Sequence, residues 1–133
     1  MLLFNGLESY GLLVLRIFLG IVFIYHAMPK LKSPGGMAKS MKWSKGTVVL
    51  LGLVEILAAL ALILGFYAEI GALAVAVVML GAIYHKLFTW KIPFSGSNTT
   101  GWEFDTMLLV SAVVILLLGA GAISLDAMTG IWP

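Results

Sequence analysis

LLVLRIFLGIVFIYHAMPKLK, residues 12–32, is apolar enough to cross a bilayer, yet it carries Arg16 well inside and His26 near its far end. At 1.5 Å of rise per residue, about 20 helical residues cover a hydrocarbon core of about 30 Å. A guanidinium stays charged at any physiological pH, and near a bilayer centre it costs about 2.5–3.5 kcal/mol on insertion scales. A chain that keeps such a group has to supply a partner for it. The remaining sequence is read outward from that requirement.

Three further segments share the character of the first. They run from about Thr47 to Phe66, Ala68 to Phe88 and Trp102 to Ala122, and the opening one from about Tyr10 to Met28. Of the 133 residues, 62% are hydrophobic and 11% charged, with a mean hydropathy of +1.11. Soluble domains sit near 45–50% apolar and 25% charged, so the composition is that of an integral membrane protein. Backbone groups in lipid must be satisfied within each segment, which leaves helices. The expectation is an all-α, integral membrane four-helix transmembrane bundle forming one domain over residues 1–133. Pro29, Pro34, Gly35 and Gly36 predict a loop after the first helix. The second and third helices meet in a tight joint around Gly65–Glu69, and Thr89–Gly101 reads as a loop.

Charge sets an expected orientation. Lys30, Lys32, Lys39, Lys42, Lys45, Lys86 and Lys91 share the side that holds the first and third loops, whereas Glu8, Glu69 and Asp126 fall on the other. By the positive-inside rule the lysine side is cytoplasmic and both termini lie outside a bacterial inner membrane. Trp43, Trp90 and Trp102 mark the inner interface, with Tyr10, Tyr67 and Trp132 at the outer one. The N-terminus has no basic stretch followed by a small-residue cleavage pattern, so the first apolar run reads as a retained helix. There is no cysteine, which excludes a dithiol redox centre and a thiolate-held cluster. The net charge of +2 carries no basic stripe for nucleic acid. The lipid bilayer and a further protein subunit or second copy are the expected partners.

Two polar groupings emerge. Counted from Met28 and Gly46, Arg16 and Glu55 lie at similar depth, which predicts an Arg16–Glu55 pair between the first two helices. The pair suits a functional site or an architectural lock equally. The second grouping sits near the lysine side: His26 and His85 close the first and third helices, and Glu103 and Asp105 open the fourth. Two imidazoles and two carboxylates suit a proton site or a polar cap over a quinone head group. A metal or bis-His haem ranks behind these. Plain interfacial solvation is the competing reading, since acids also suit a helix N-terminus.

Small residues share faces with these groups. Arg16, Gly20, Phe23, Ala27 and Lys30 form one stripe, and Gly71, Ala74, Val78, Gly81 and His85 another. A third runs through Asp105, Leu109, Ala112 and Gly119. Small side chains let helices approach closely in lipid, so each stripe should face inward. Ile24-Tyr25-His26 is echoed by Ile83-Tyr84-His85 at the end of a helix running the same way, which would suit a duplicated hairpin.

Taken together, the chain resembles the DoxX family of small bacterial four-helix membrane proteins. The likeness is carried first by Arg16, Gly20, Phe23, His26 and Lys30 at their intervals in the first helix. Gly52 and Glu55, Gly101-Trp102-Glu103 and the run Gly119–Asp126 extend it over nearly the whole length. Ala27 stands where a glycine is common, and Phe66-Tyr67-Ala68-Glu69 has an acid where a base is frequent. The resemblance implies a membrane subunit of a quinone-linked redox system, or an accessory protein in an oxidative-stress system. In the first case His26, His85, Glu103 and Asp105 would handle protons, while Arg16, Glu55, Tyr25 and Lys30 would surround a bound quinone. The rival readings are a non-catalytic anchor or assembly subunit and, behind it, a small proton-coupled transporter.

Overall fold

The computed structural model describes residues 6–96, 98 and 100–131; Trp132, expected at the outer interface, lies outside them. All regular structure among the described residues is helical. The elements are α1 (Glu8–Lys32), α2 (Pro34–Met41), α3 (Lys45–Leu64), α4 (Ala68–Tyr84), α5 (Trp102–Leu118) and the short α6 (Leu125–Thr129). A π-helical turn, His85–Thr89, continues α4.

α1, α3 and the α4 segment to Thr89 are long and apolar enough to cross a membrane. α5 is equally apolar but has 17 residues, about 25 Å of helix. Their outward faces carry large apolar side chains; Val14, Phe18, Leu57 and Leu117 are all more than 65% exposed. Inward, Leu19 and Phe23 of α1 meet Ala58, Ala59 and Leu62 of α3, Val75 and Met79 of α4, and Leu108, Ala112 and Ile115 of α5 in one core. α1 lies mainly on α3, α3 on α4 and α4 on α5, with α5 closing lightly on α1.

The close approach of α1 to α3 explains part of the first small-residue stripe. A Cβ on Gly20 would meet Ile63 Cγ1 at 2.5 Å and the Ala59 carbonyl oxygen at 2.9 Å. About two turns in from the other end of α3, Gly52 packs on Lys30 and Leu31 in the same way.

Three boundaries differ from the sequence expectation. α1 does not stop at Met28; it runs through Pro29 to Lys32, where the Ser33 N–H closes on the Pro29 carbonyl at 2.9 Å. A proline removes one hydrogen bond but does not end a helix whose neighbours on both sides are packed. The expected first loop contains α2, which Pro34 opens from a first-turn position where its missing N–H costs nothing. α5 ends at Leu118 instead of Ala122, because Gly119 at φ +75° turns the chain out of the helix.

The packing at Gly20 is directly testable. Gly20→Val should destabilise the folded protein by about 1–3 kcal/mol through overpacking against α3. Gly81→Ala, where an added Cβ meets nothing within 4 Å, should leave the thermal midpoint in detergent unchanged or slightly raised. Equal midpoints for the two variants would contradict this packing.

Candidate functional site

A cavity of about 500 Å³ lies between α1, α3, α4 and α5 toward the lysine-rich end, and both histidines line it. Its walls are largely apolar, among them Phe23, Leu51, Val78, Met79 and Leu108. Its polar groups come in two sets of the same make-up.

The first set belongs to α1 and α3. Lys30 Nζ donates to Glu55 Oε2 at 3.0 Å and to the His26 carbonyl, also at 3.0 Å. Lys30 and Glu55 are both buried, so each charge is answered chiefly by the other. His26 lies half-buried beside them, its ring 5.4 Å from that of Phe104. The ring has no hydrogen-bond partner among the described residues, which leaves its polar edge to whatever occupies the cavity.

The second set belongs to α4, its π turn and α5. Lys86 Nζ stands 2.6 Å from Asp105 Oδ2, a charge contact whose angles lie off the line of a hydrogen bond. The same ammonium donates to the Thr100 carbonyl at 3.1 Å. His85 Nδ1 and Thr89 Oγ1 are 3.3 Å apart. The π turn is closed by the Trp90 N–H on the His85 carbonyl, five residues back, at 2.8 Å. That wider turn folds Trp90 onto the His85 ring (5.4 Å, 30°), while Trp43 meets His85 edge-on at 5.0 Å. Single π turns in α-helices recur at functional sites because they re-aim side chains.

Each set therefore consists of a histidine and a lysine on one helix and a carboxylate on the next. The Ile-Tyr-His echo places both imidazoles inward and both tyrosines outward, Tyr25 76% and Tyr84 57% exposed. Tyr25 consequently has no part in the cavity. Glu103 is exposed and drops out too, while Asp105, two residues on, is buried. Among the described residues no three histidine or carboxylate side chains converge to hold a metal ion.

Arg16 does not meet Glu55. It is fully buried toward the opposite end, where Nη1 donates to the Leu62 carbonyl at 2.9 Å and Nη2 to the Ile123 carbonyl at 2.5 Å. The expected pairing fails because α1 extends past Pro29. Measured from the true ends at Lys32 and Lys45, Arg16 lies about 24 Å deep and Glu55 about 15 Å. Lys30 takes the place expected for Arg16.

Of the two carbonyls that the guanidinium meets, that of Leu62 lies at the α3 C-terminus, where the helix dipole is negative. Gly65 is needed there on two grounds. Its φ is +65°, and a Cβ would strike Arg16 Nη1 and Ser124 Cβ. The backbone N–H of Asp126 donates to the Gly65 carbonyl at 2.8 Å. Its carboxylate accepts from the Tyr67 and Ala68 N–H groups at 2.7 and 3.0 Å, capping α4 from outside its own sequence, and is the acid acting electrostatically on Arg16.

The profile of the family described as DoxX matches residues 11–90, from α1 through the π turn. The chain belongs to the DoxX family. The matched stretch of this DoxX chain holds both histidines, Lys30, Glu55 and Lys86; Asp105 and Asp126 lie beyond it. It is also 26% identical over 125 residues to the Bacillus subtilis (strain 168) protein named "Putative oxidoreductase CatD", covering 92% of this chain and 89% of that one. No solved structure matches it.

Sequence reasoning brought His26, His85, Glu55, Lys30 and Asp105 to notice but overlooked Lys86, Phe104 and the stacking role of Trp43 and Trp90. Lys86 follows His85 directly inside an apolar segment, and that position was a usable signal. Its partner Asp105 became visible only once the two helices were placed.

Two variants test these assignments. Lys30→Met or Glu55→Leu alone should cost about 3–5 kcal/mol by stranding a buried group, and the two combined should recover most of it. Denaturant unfolding in detergent, analysed as a double-mutant cycle, reads this directly; additive losses would deny the pair. Asp126→Ala should cost about 1–3 kcal/mol for each amide it strands, lowering the thermal midpoint. It should leave ligand binding in the distant cavity intact.

Proposed function

We propose that this DoxX protein is an integral membrane four-helix bundle in which α1, α3, α4 and α5 span a bacterial inner membrane. The lysine-rich end faces the cytoplasm and the end holding Glu8, Glu69 and Asp126 faces outward, following the positive-inside rule. Within that frame the protein acts as the membrane subunit of a quinone-linked redox system, its cavity holding the quinone head group.

The observation that carries this reading is the cavity itself. It sets two imidazoles beside two neutralised lysine–carboxylate pairs in apolar, aromatic surroundings. A quinone is a flat, uncharged ring with two carbonyl oxygens, and such a ligand needs hydrogen-bond donors and aromatic walls without net charge. When a partner subunit's donor supplies two electrons, the quinone takes up two protons to become the quinol. His26 and His85 are the groups placed to deliver those protons to the carbonyl oxygens. The carboxylates hold the lysines in place and keep the site near neutrality. The oxidoreductase name of the Bacillus relative agrees with a redox role.

Protein purified from native membranes in mild detergent should yield quinone on solvent extraction, near one per chain. His26→Ala and His85→Ala should each lower retention by about fivefold to tenfold, the worth of one lost hydrogen bond to the ligand. Glu103→Gln, outside the cavity, should leave it unchanged. No quinone, together with a stoichiometric protein partner whose activity survives loss of both histidines, would replace this reading with that of an assembly subunit.

A further inference from the structure

The cavity wall is incomplete on one side. α3 and α4 leave their tight joint in close contact: a Cβ on Gly71 would meet Ala61 Cβ at 3.0 Å and the Ala58 carbonyl oxygen at 3.1 Å. Ten residues further along α4 the contact has gone. Gly81 lies on the same small-residue stripe and is expected to mark another contact, yet a Cβ there meets nothing within 4 Å. Gly81 is exposed and still lines the cavity. So does Val77, one turn earlier and 60% exposed, and so does Thr47 on the facing stretch of α3. Thr100, at the lysine-rich end, is likewise exposed and lining, but Val77 and Gly81 open on the flank between α3 and α4 and mark a lateral mouth there.

The surroundings of that mouth are apolar. Leu50 and Leu80 are exposed at 63% and 57% beside it. At the lysine-rich end, by contrast, half-buried Met41, Trp43 and Trp90 lie over the cavity, the two indoles against His85.

We propose that the cavity is filled sideways from the hydrocarbon of the bilayer, through the gap between the first half of α3 and the last half of α4. Its ligand is an amphiphile whose polar head reaches His26 and His85 while an alkyl or isoprenoid tail trails out past Val77 and Gly81 into lipid. This rests on the membrane-spanning reading given above and deepens the quinone reading, because it requires a tailed quinone and assigns Gly81 the task of leaving room for the tail. Crossing helices make such a gap without special devices: a crossing of about 20° separates two axes by about 5 Å over ten residues.

The test is Gly81→Leu in the full chain reconstituted into liposomes, with its thermal midpoint compared to wild type to show that it folds. Two probes are titrated against tryptophan fluorescence: a 1,4-benzoquinone with a ten-carbon tail and tetramethyl-1,4-benzoquinone, which has none. The leucine should weaken binding of the tailed probe at least tenfold and change the tailless one less than twofold. Undiminished binding of the tailed probe would overturn the lateral mouth and leave the quinone reading standing. If wild type binds neither probe, the quinone reading falls and the mouth is decided by phospholipids brominated on their acyl chains. In a chain with Trp43 as its sole tryptophan, quenching that Gly81→Leu reduces at least twofold supports the mouth, and equal quenching overturns it.

Discussion

A guanidinium shut away from water must find acceptors, and in this chain the search decides the register of everything else. Arg16 is fully buried and reaches two backbone carbonyls from separate elements, Leu62 at the end of α3 and Ile123 before α6. The Leu62 carbonyl, in the last turn of α3, also takes the Gly65 N–H at 3.2 Å and uses its second lone pair for the arginine, while the Ile123 carbonyl lies outside any helix. Through its two terminal nitrogens the arginine thus ties two separate segments together, while its buried Nε has no partner among the described residues. Asp126 completes the arrangement by taking the first amides of α4, so that α1, α3, α4 and α6 are tied at one end. With that end fixed, α1 lies on α3 in a single register, and Lys30 arrives opposite Glu55 at the other.

The two lysine–carboxylate pairs give the cavity an unusual electrical character. Four ionic groups line it, yet each positive charge is held against a negative one within 3.0 Å. Under the proposed quinone reading, the imidazoles are then the groups left to exchange protons with the ligand. A small, nearly neutral, mostly apolar chamber with two proton-bearing rings suits an uncharged aromatic molecule far better than a salt or a sugar.

Much of this was legible in the amino-acid order, and the failures have physical causes. Composition and segment length indicated helices, and the position of each long one follows from apolar runs broken at Gly65, Pro93 and Gly101. The histidines were legible because polar groups inside an apolar segment are costly and therefore informative. The Arg16–Glu55 expectation failed on a single proline. Pro29 reads as a terminator, yet packing carries the helix past it, and one further turn moves every depth measured from that end. Lys86 was counted only as a charge for orientation, and its use inside the cavity depends on a π turn that sequence periodicity does not announce. Gly81 shows the same limit from the other direction: one stripe contains a glycine at a contact and a glycine at an opening, and only the path of the neighbouring helix separates them.

The tie made by Arg16 also has an order in time. Its second acceptor lies 107 residues further along the chain, so during synthesis the first helix is made long before the second of its carbonyl partners exists. Through that interval the guanidinium has at most the end of α3 to lean on, and water or lipid headgroups must serve for the remainder. The nascent chain is accordingly loosest at its Arg16 end until the Ile123–Asp126 stretch arrives, and the assembly of this protein is finished by a latch that swings shut on the helix made first.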